Sequence, residues 1–118
     1  MIKPLLGVAA ALATFPLSAV AEGTAIASWY GPGFHGNRTA SGEVYDMYGV
    51  SVAHKSLPFG TIVRLCNKEN GLCVNAPVTD RGPYIAGRTF DLSYGAARTI
   101  GMVDAGVVEV DYECLTVN

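Results

Sequence analysis

The sequence has no excess of positive charge: eight Lys and Arg stand against ten Asp and Glu. A nucleic-acid binder needs a basic surface, so that class is excluded. Only two histidines are present, in neither HExxH nor cysteine-cluster spacing, which speaks against a zinc site. No glycine loop of the phosphate-cradling kind occurs, and no serine-hydrolase elbow supports a Ser41–His54–Asp80 triad, although the residue types for one are there. Neither a metal nor a cofactor is expected. Repeats, low-complexity tracts and linkers are missing too, and 118 residues leave room for one domain.

What is present begins with a leader. MIKPLLGVAAALATFPLSAVA carries Lys3, a mostly apolar stretch and a small-x-small ending, Ala19-Val20-Ala21. These are the parts of a secretory signal peptide. Pro4 and Pro16 interrupt the run and leave it short of the ~20 residues that a membrane span needs. The expected arrangement is a signal peptide over residues 1–21 and a single exported domain over residues 22–118. It would act in the periplasm or outside the cell, as a monomer with no membrane anchor after cleavage. Removing Lys3 leaves seven basic against ten acidic side chains, a balance suited to an uncharged or zwitterionic polymer.

Three cysteines remain. Cys66 and Cys73 bracket NKENGL, whose Asn70-Gly71 is a turn signal. A connection over residues 68–71 sets the two cysteines opposite one another on one sheet face. In an exported protein they are read as a disulfide worth roughly 2.5 kcal/mol by loop closure. Cys114 shares parity with Val108, Val110 and Tyr112, so it is expected as a buried thiol.

Short strands dominate the rest. GTAIASWYG, GVSVAH, TIVRLCN, LCVNAPVTD and VVEVDYECL read as strands; the last has Glu109, Asp111 and Glu113 outward. Residues 32–49 read as a long irregular loop, and LPFGT as a turn. Ser93 is placed to cap a short helix, YGAARTIGM, stopped at Gly101. Several strands and one short helix in under a hundred residues indicate an all-β fold, a small closed barrel.

Chemistry-bearing residues gather on loops and strand ends: Thr39, Ser41, Glu43, His54, Asp80 and Arg81. Asp80 has two readings, a general acid on a rigid elbow made by Gly82 and Pro83 or an aspartate that closes its own turn. Glu43 alone is a solvated loop carboxylate; beside Asp80 it would raise one of the two pKa values. His54 either holds a carboxylate or a sugar hydroxyl, or is a satisfied structural histidine. Trp29, Tyr30, Phe34, Tyr45, Tyr48 and Tyr84 cluster near these loops and are either sugar platforms or core. Asp91, followed by Ser93, is read as closing the turn into the helix, and Arg81 and Arg88 as partners for the acids.

The motifs ASWYG, TASGE, AHxxLPxGT, NxxNG, DRGP and RxxDLS occur in that order between Ala25 and Cys114. In that order the chain closely resembles the double-psi β-barrel domain of the rare lipoprotein A (RlpA-like) family. The resemblance implies a six-stranded barrel with one short helix, and a lytic transglycosylase acting on peptidoglycan glycan strands. That activity cleaves the MurNAc–GlcNAc bond and leaves 1,6-anhydro-MurNAc ends. By motif, Asp80 is the acid/base, with Glu43 and His54 beside it in the groove. Thr39, Ser41, Arg81, Tyr84 and Trp29 are expected to bind substrate. The alternative is a non-catalytic, expansin-like glycan-binding or wall-loosening module on the same barrel; an inhibitor or effector is a third reading. The sequence shows neither the lipid-attachment cysteine nor the SPOR domain of full-length members, so septal targeting is not expected.

Overall fold

The computed structural model describes residues 22–115; the leader read over residues 1–21 lies outside them. Six strands close into a barrel in the order β1–β5–β2–β4–β3–β6. They are β1 (Glu22–Tyr30), β2 (Val52–Ala53), β3 (Ile62–Asn67), β4 (Cys73–Asp80), β5 (Phe90–Ser93) and β6 (Val107–Cys114), with one helix, α1 (Tyr94–Thr99), directly after β5. The expected all-β, six-stranded barrel with a short helix is what the chain forms.

Alternation sets which side chains go inward. In β3, Val63 and Leu65 are fully buried while Arg64 is exposed. In β6, Val108 and Val110 face in, and Glu109, Asp111 and Glu113 face out. The β3–β4 hairpin has the expected register: Cys66 lies directly opposite Cys73, and the two are bonded. Cys114 departs from expectation. It sits at the end of β6, opposite Val63, as a half-buried free thiol packed against the edge of the core.

The helix closes the barrel. Ala96, Ala97, Ile100 and Met102 are fully buried against Val52, Val78, Phe90 and Leu92. Ser93 caps it as expected, its Oγ accepting from the Ala96 N–H at 3.2 Å. The same hydroxyl accepts from the Ser51 N–H (3.1 Å) and donates to the Gly49 carbonyl (2.8 Å). A fully buried hydroxyl thus uses all of its hydrogen-bonding capacity. At the other end, Asn67 and Asn70 of the hairpin turn both donate to the Ile100 carbonyl, at 2.9 and 3.1 Å. The turn that aligns the cysteines also holds the last turn of the helix.

β2 is shorter than GVSVAH suggests. It pairs parallel with β4 and antiparallel with β5 over two residues only. Helix α1 packs so tightly behind it that a methyl on Gly95 would collide with the Gly49 and Tyr48 carbonyls. Alanine gains about 1 kcal/mol over glycine in helix propensity, but here backbone atoms block it. Gly95→Ala is expected to lower unfolding stability by about 1–3 kcal/mol, read as a lower urea midpoint at unchanged m-value.

Candidate active site

Two carboxylates face one cavity because of β2. Ala53 is the register partner of Asp80 on β4 and of Asp91 on β5. The two aspartates therefore stand on either side of it, their Cα atoms two strand spacings apart, about 9–10 Å. A cavity of about 260 Å³ opens here, lined by both aspartates, Ala53, Tyr30 and Phe34 and by the bend from Arg81 to Ile85. Gly82, at φ +123°, gives that bend a backbone that other residues avoid. Tyr84 (76% exposed), Ile85 (53%) and Phe34 (55%) are the exposed apolar residues of the lining.

Asp80 is held from three directions. Its Oδ1 accepts from the backbone N–H groups of Ala40 and Arg81, both at 2.9 Å. Its Oδ2 accepts from the Tyr30 hydroxyl at 3.3 Å. All three partners are donors, so Asp80 is set up as an acceptor. Tyr30 is itself fixed by stacking on Tyr45, with centroids 4.4 Å apart, and Tyr45 donates to the Tyr30 carbonyl at 2.7 Å. Burial, and then the Asp80 charge, push Tyr30 far above the usual phenol range. Burial pushes Tyr45 up to about 12.

Asp91, read as closing the turn into the helix, lines the cavity with Asp80, and its carboxylate accepts from the Ser28 hydroxyl at 3.0 Å, while Ser93 caps the helix. Burial raises the Asp91 pKa, Ser28 and Arg88 oppose that, and the Asp80 charge adds to it. The four-residue strand FDLS gave no sign of this, since only its parallel pairing with β1 reveals where Asp91 points.

The other candidates divide. Glu43 does not line the Asp80 cavity. It borders a second depression of about 150 Å³ with Tyr45, Asp46 and Thr79, which meets the first at the Tyr30–Tyr45 stack. Thr39 and Ser41 bond to each other at 2.8 Å, and the Ser41 N–H reaches the Thr79 carbonyl at 3.3 Å. They pin the loop against β4. Arg81 pairs with neither acid: it donates to the Leu57 (2.9 Å) and His54 (3.3 Å) carbonyls and lies 3.9 Å over the Phe59 ring. Tyr84 lines the cavity and is exposed.

Trp29 is placed elsewhere. It shares parity with the buried Ala27, so its ring packs on Tyr94 and its indole N–H donates to the Val103 carbonyl at 3.2 Å. Tyr30, one residue on, takes the cavity-facing position. His54 tilts on Phe90, and its Nδ1 accepts from the Ser56 and Leu57 N–H groups, both at 3.0 Å. That network puts the imidazole proton on Nε2. Burial, then Arg81 and Lys55, lower its pKa. A larger depression, about 410 Å³ between β1, β3 and β6, is lined by strand-surface groups, among them Glu22, Arg64, which pairs with Glu113 at 3.9 Å, and Thr24, which donates to Asp111 at 3.1 Å. Among the described residues no group of three or more His, Cys, Asp or Glu could hold a metal ion.

The family model described as lytic transglycolase matches residues 22–112. A protein from Synechocystis sp. named a probable endolytic peptidoglycan transglycosylase RlpA is 54% identical over 85 residues, covering 72% of this chain and 26% of that protein. An endolytic peptidoglycan transglycosylase RlpA from Vibrio cholerae is 50% identical over 92 residues, covering 78% and 35%. The chain thus spans about a third or less of the length of these relatives. Among solved structures, apo-expansin from Clavibacter michiganensis superposes with a TM-score of 0.65 at 23% identity, over 81% of this chain and 51% of that one, a likeness of fold.

Two outcomes follow from the titrating groups. Asp91 has a raised folded-state pKa, so its stabilising effect is complete below the ordinary carboxylate value and lost as pH rises. Asp91→Asn should therefore raise Tm by a few degrees at neutral pH and leave it unchanged in acid. His54 has a lowered pKa, so its contribution is present above 6.5 and lost as pH falls below that value. His54→Asn keeps an acceptor for the two N–H groups and should flatten the wild-type loss of Tm between neutral and mildly acidic pH; an unchanged slope would remove His54 as its cause.

Proposed function

The chain belongs to the lytic transglycolase family of double-psi β-barrels, and from that premise we propose that it is an endolytic lytic transglycosylase that cleaves peptidoglycan glycan strands. The observation that carries this reading is the facing pair Asp80 and Asp91, one tied down by donors and the other pushed toward protonation, across an open cavity. The arrangement suits a reaction in which the substrate brings its own nucleophile.

The sequence reading gave both proton steps to Asp80. The geometry favours a division of labour. Protonated Asp91 donates to the glycosidic oxygen as the bond from the muramic C1 to that oxygen breaks. Asp80, held by three donors, stabilises the positive charge that develops at C1. The muramic 6-hydroxyl then bonds to C1 and gives its proton to the Asp91 carboxylate, which restores the acid and leaves a 1,6-anhydro end. No water is consumed, so the spacing needed to seat a hydrolytic water in an inverting glycosidase is not a requirement here.

The remaining residues bind. Tyr84, Phe34 and Ile85 offer apolar surface to sugar faces at the cavity. Glu43, on the neighbouring depression, meets the next sugar along the strand rather than the scissile bond. His54, with its proton on Nε2, is a hydrogen-bond donor to the glycan. Export is directed by residues 1–21, which are then removed, and the barrel domain acts on the wall from the periplasm or outside.

A glycan-binding module without catalysis is the competing reading; Asp80 neutralised by Arg81 would favour it, and Arg81 is engaged elsewhere. Purified sacculi separate the cases. Wild-type protein should release soluble fragments with anhydro ends, identified by mass. Asp80→Asn and Asp91→Asn should each slow release by about a hundredfold or more. Reducing ends would mean a hydrolase, and no fragments at all a binder. If Asp91→Asn keeps full rate while Asp80→Asn is dead, Asp80 is the acid/base.

A further inference from the structure

β1 carries two hydroxyls on the face that meets the acids. Ser28 and Tyr30 are two residues apart, so they point the same way. Ser28 is nearly buried and donates to Asp91 Oδ1 at 3.0 Å; Tyr30 donates to Asp80 Oδ2 at 3.3 Å. Each carboxylate thus has its own hydroxyl from a single strand. The pairing is built by register. Ser28 is the parallel partner of Asp91 itself, whereas Tyr30 reaches past β5 and β2 to the end of β4.

We propose that Ser28 is a positioning residue for Asp91: its hydroxyl fixes that carboxyl toward the cavity, as Tyr30 fixes Asp80, so that β1 keeps the two acids in separate roles. The inference rests on the reading of Asp91 as the group that carries the proton. The groups that face Asp91 are Ser28 and Tyr30 from β1, Tyr45 from the loop, Asp80 from β4 and Arg88 from the segment ahead of β5. Of these, Ser28 is the hydrogen-bonding partner, and a donated hydrogen bond favours the ionised carboxylate. Burial acts in the opposite sense. Ser28 therefore sets how far burial can move Asp91, and so the pH at which the site is both protonated enough to donate and acidic enough to release.

Removing the hydroxyl has a signed consequence. In Ser28→Ala the ionised form loses its donor, so Asp91 should titrate at higher pH, by roughly one pH unit. The limb of the pH–rate profile on which activity is lost as Asp91 ionises should move up with it. Tyr30→Phe is the control, since Tyr30 does not donate to Asp91: it should leave the Asp91 midpoint in place while lowering the rate. The midpoint is read from carbon-13 shifts of aspartate-labelled protein across a pH titration, with Asp91→Asn to assign the signal. An Asp91 midpoint unmoved in Ser28→Ala, or moved as far in Tyr30→Phe, overturns the proposal. The two readings fail separately. A moved midpoint with no anhydro product from wild type upholds the positioning and removes the catalytic reading. An unmoved midpoint with product intact does the reverse.

Discussion

β2 is two residues long, and the site exists because of where it lies. A strand that pairs parallel on one side and antiparallel on the other brings together two chain segments that run in opposite senses. Here those segments are the end of β4 and the middle of β5, and the residue they share is Ala53. Had the register slipped by one, Asp80 and Asp91 would face different sides of the sheet. Had Ala53 been large, its side chain would fill the cavity between them. A small residue at one sheet position thus separates the acids and leaves the cavity open between them.

So short a strand contributes little pairing energy of its own, and its position is set from behind. The Ser93 hydroxyl bonds to the Ser51 N–H and the Gly49 carbonyl on the approach to β2 while capping α1. Gly95 lets the helix press against residues 48 and 49. The helix in turn is anchored at its far end by Asn67 and Asn70 of the hairpin. A chain of contacts runs from the disulfide-bearing turn through the helix to the strand that spaces the carboxylates. A buried hydroxyl left without partners costs about 1–3 kcal/mol, so Ser93 fixes this geometry more stringently than apolar packing alone.

The parts legible in the sequence were those whose signal is local. Alternation in β3 and β6, the Asn70-Gly71 turn with its flanking cysteines and the Ser93 cap each sit within a few residues, and each formed as read. The motif order identified the barrel. What escaped was parity relative to distant strands. Trp29 and Tyr30 are neighbours with similar rings, and only the burial of Ala27 tells which faces the core. Asp91 sits in a four-residue strand flanked by turn formers, so its side chain reads as a turn element until the pairing with Ser28 is known. Glu43 and Asp80 read as one pair because both are loop acids, and the Tyr30–Tyr45 stack that parts their depressions is a long-range contact.

The rims of the cavity follow from the charge balance. A protein with a small negative net charge gains little long-range attraction for a polymer that is not strongly cationic, and steering by field is weak at cellular salt in any case. Affinity must then come from contact. Phe34, Tyr84 and Ile85 are more than half exposed, a state that carries a cost on a small domain because it invites association. Polar side chains there would remove that cost, and with it the flat apolar surfaces that pack against sugar faces. On the proposed reading the carboxylates supply the chemistry, but a neutral glycan has little reason to stay over them unless such surfaces hold it. On that reading the exposed rings and the separated acids answer to one substrate, the acids spaced by β2 and the apolar surface supplied by Phe34 and by the bend that follows Asp80.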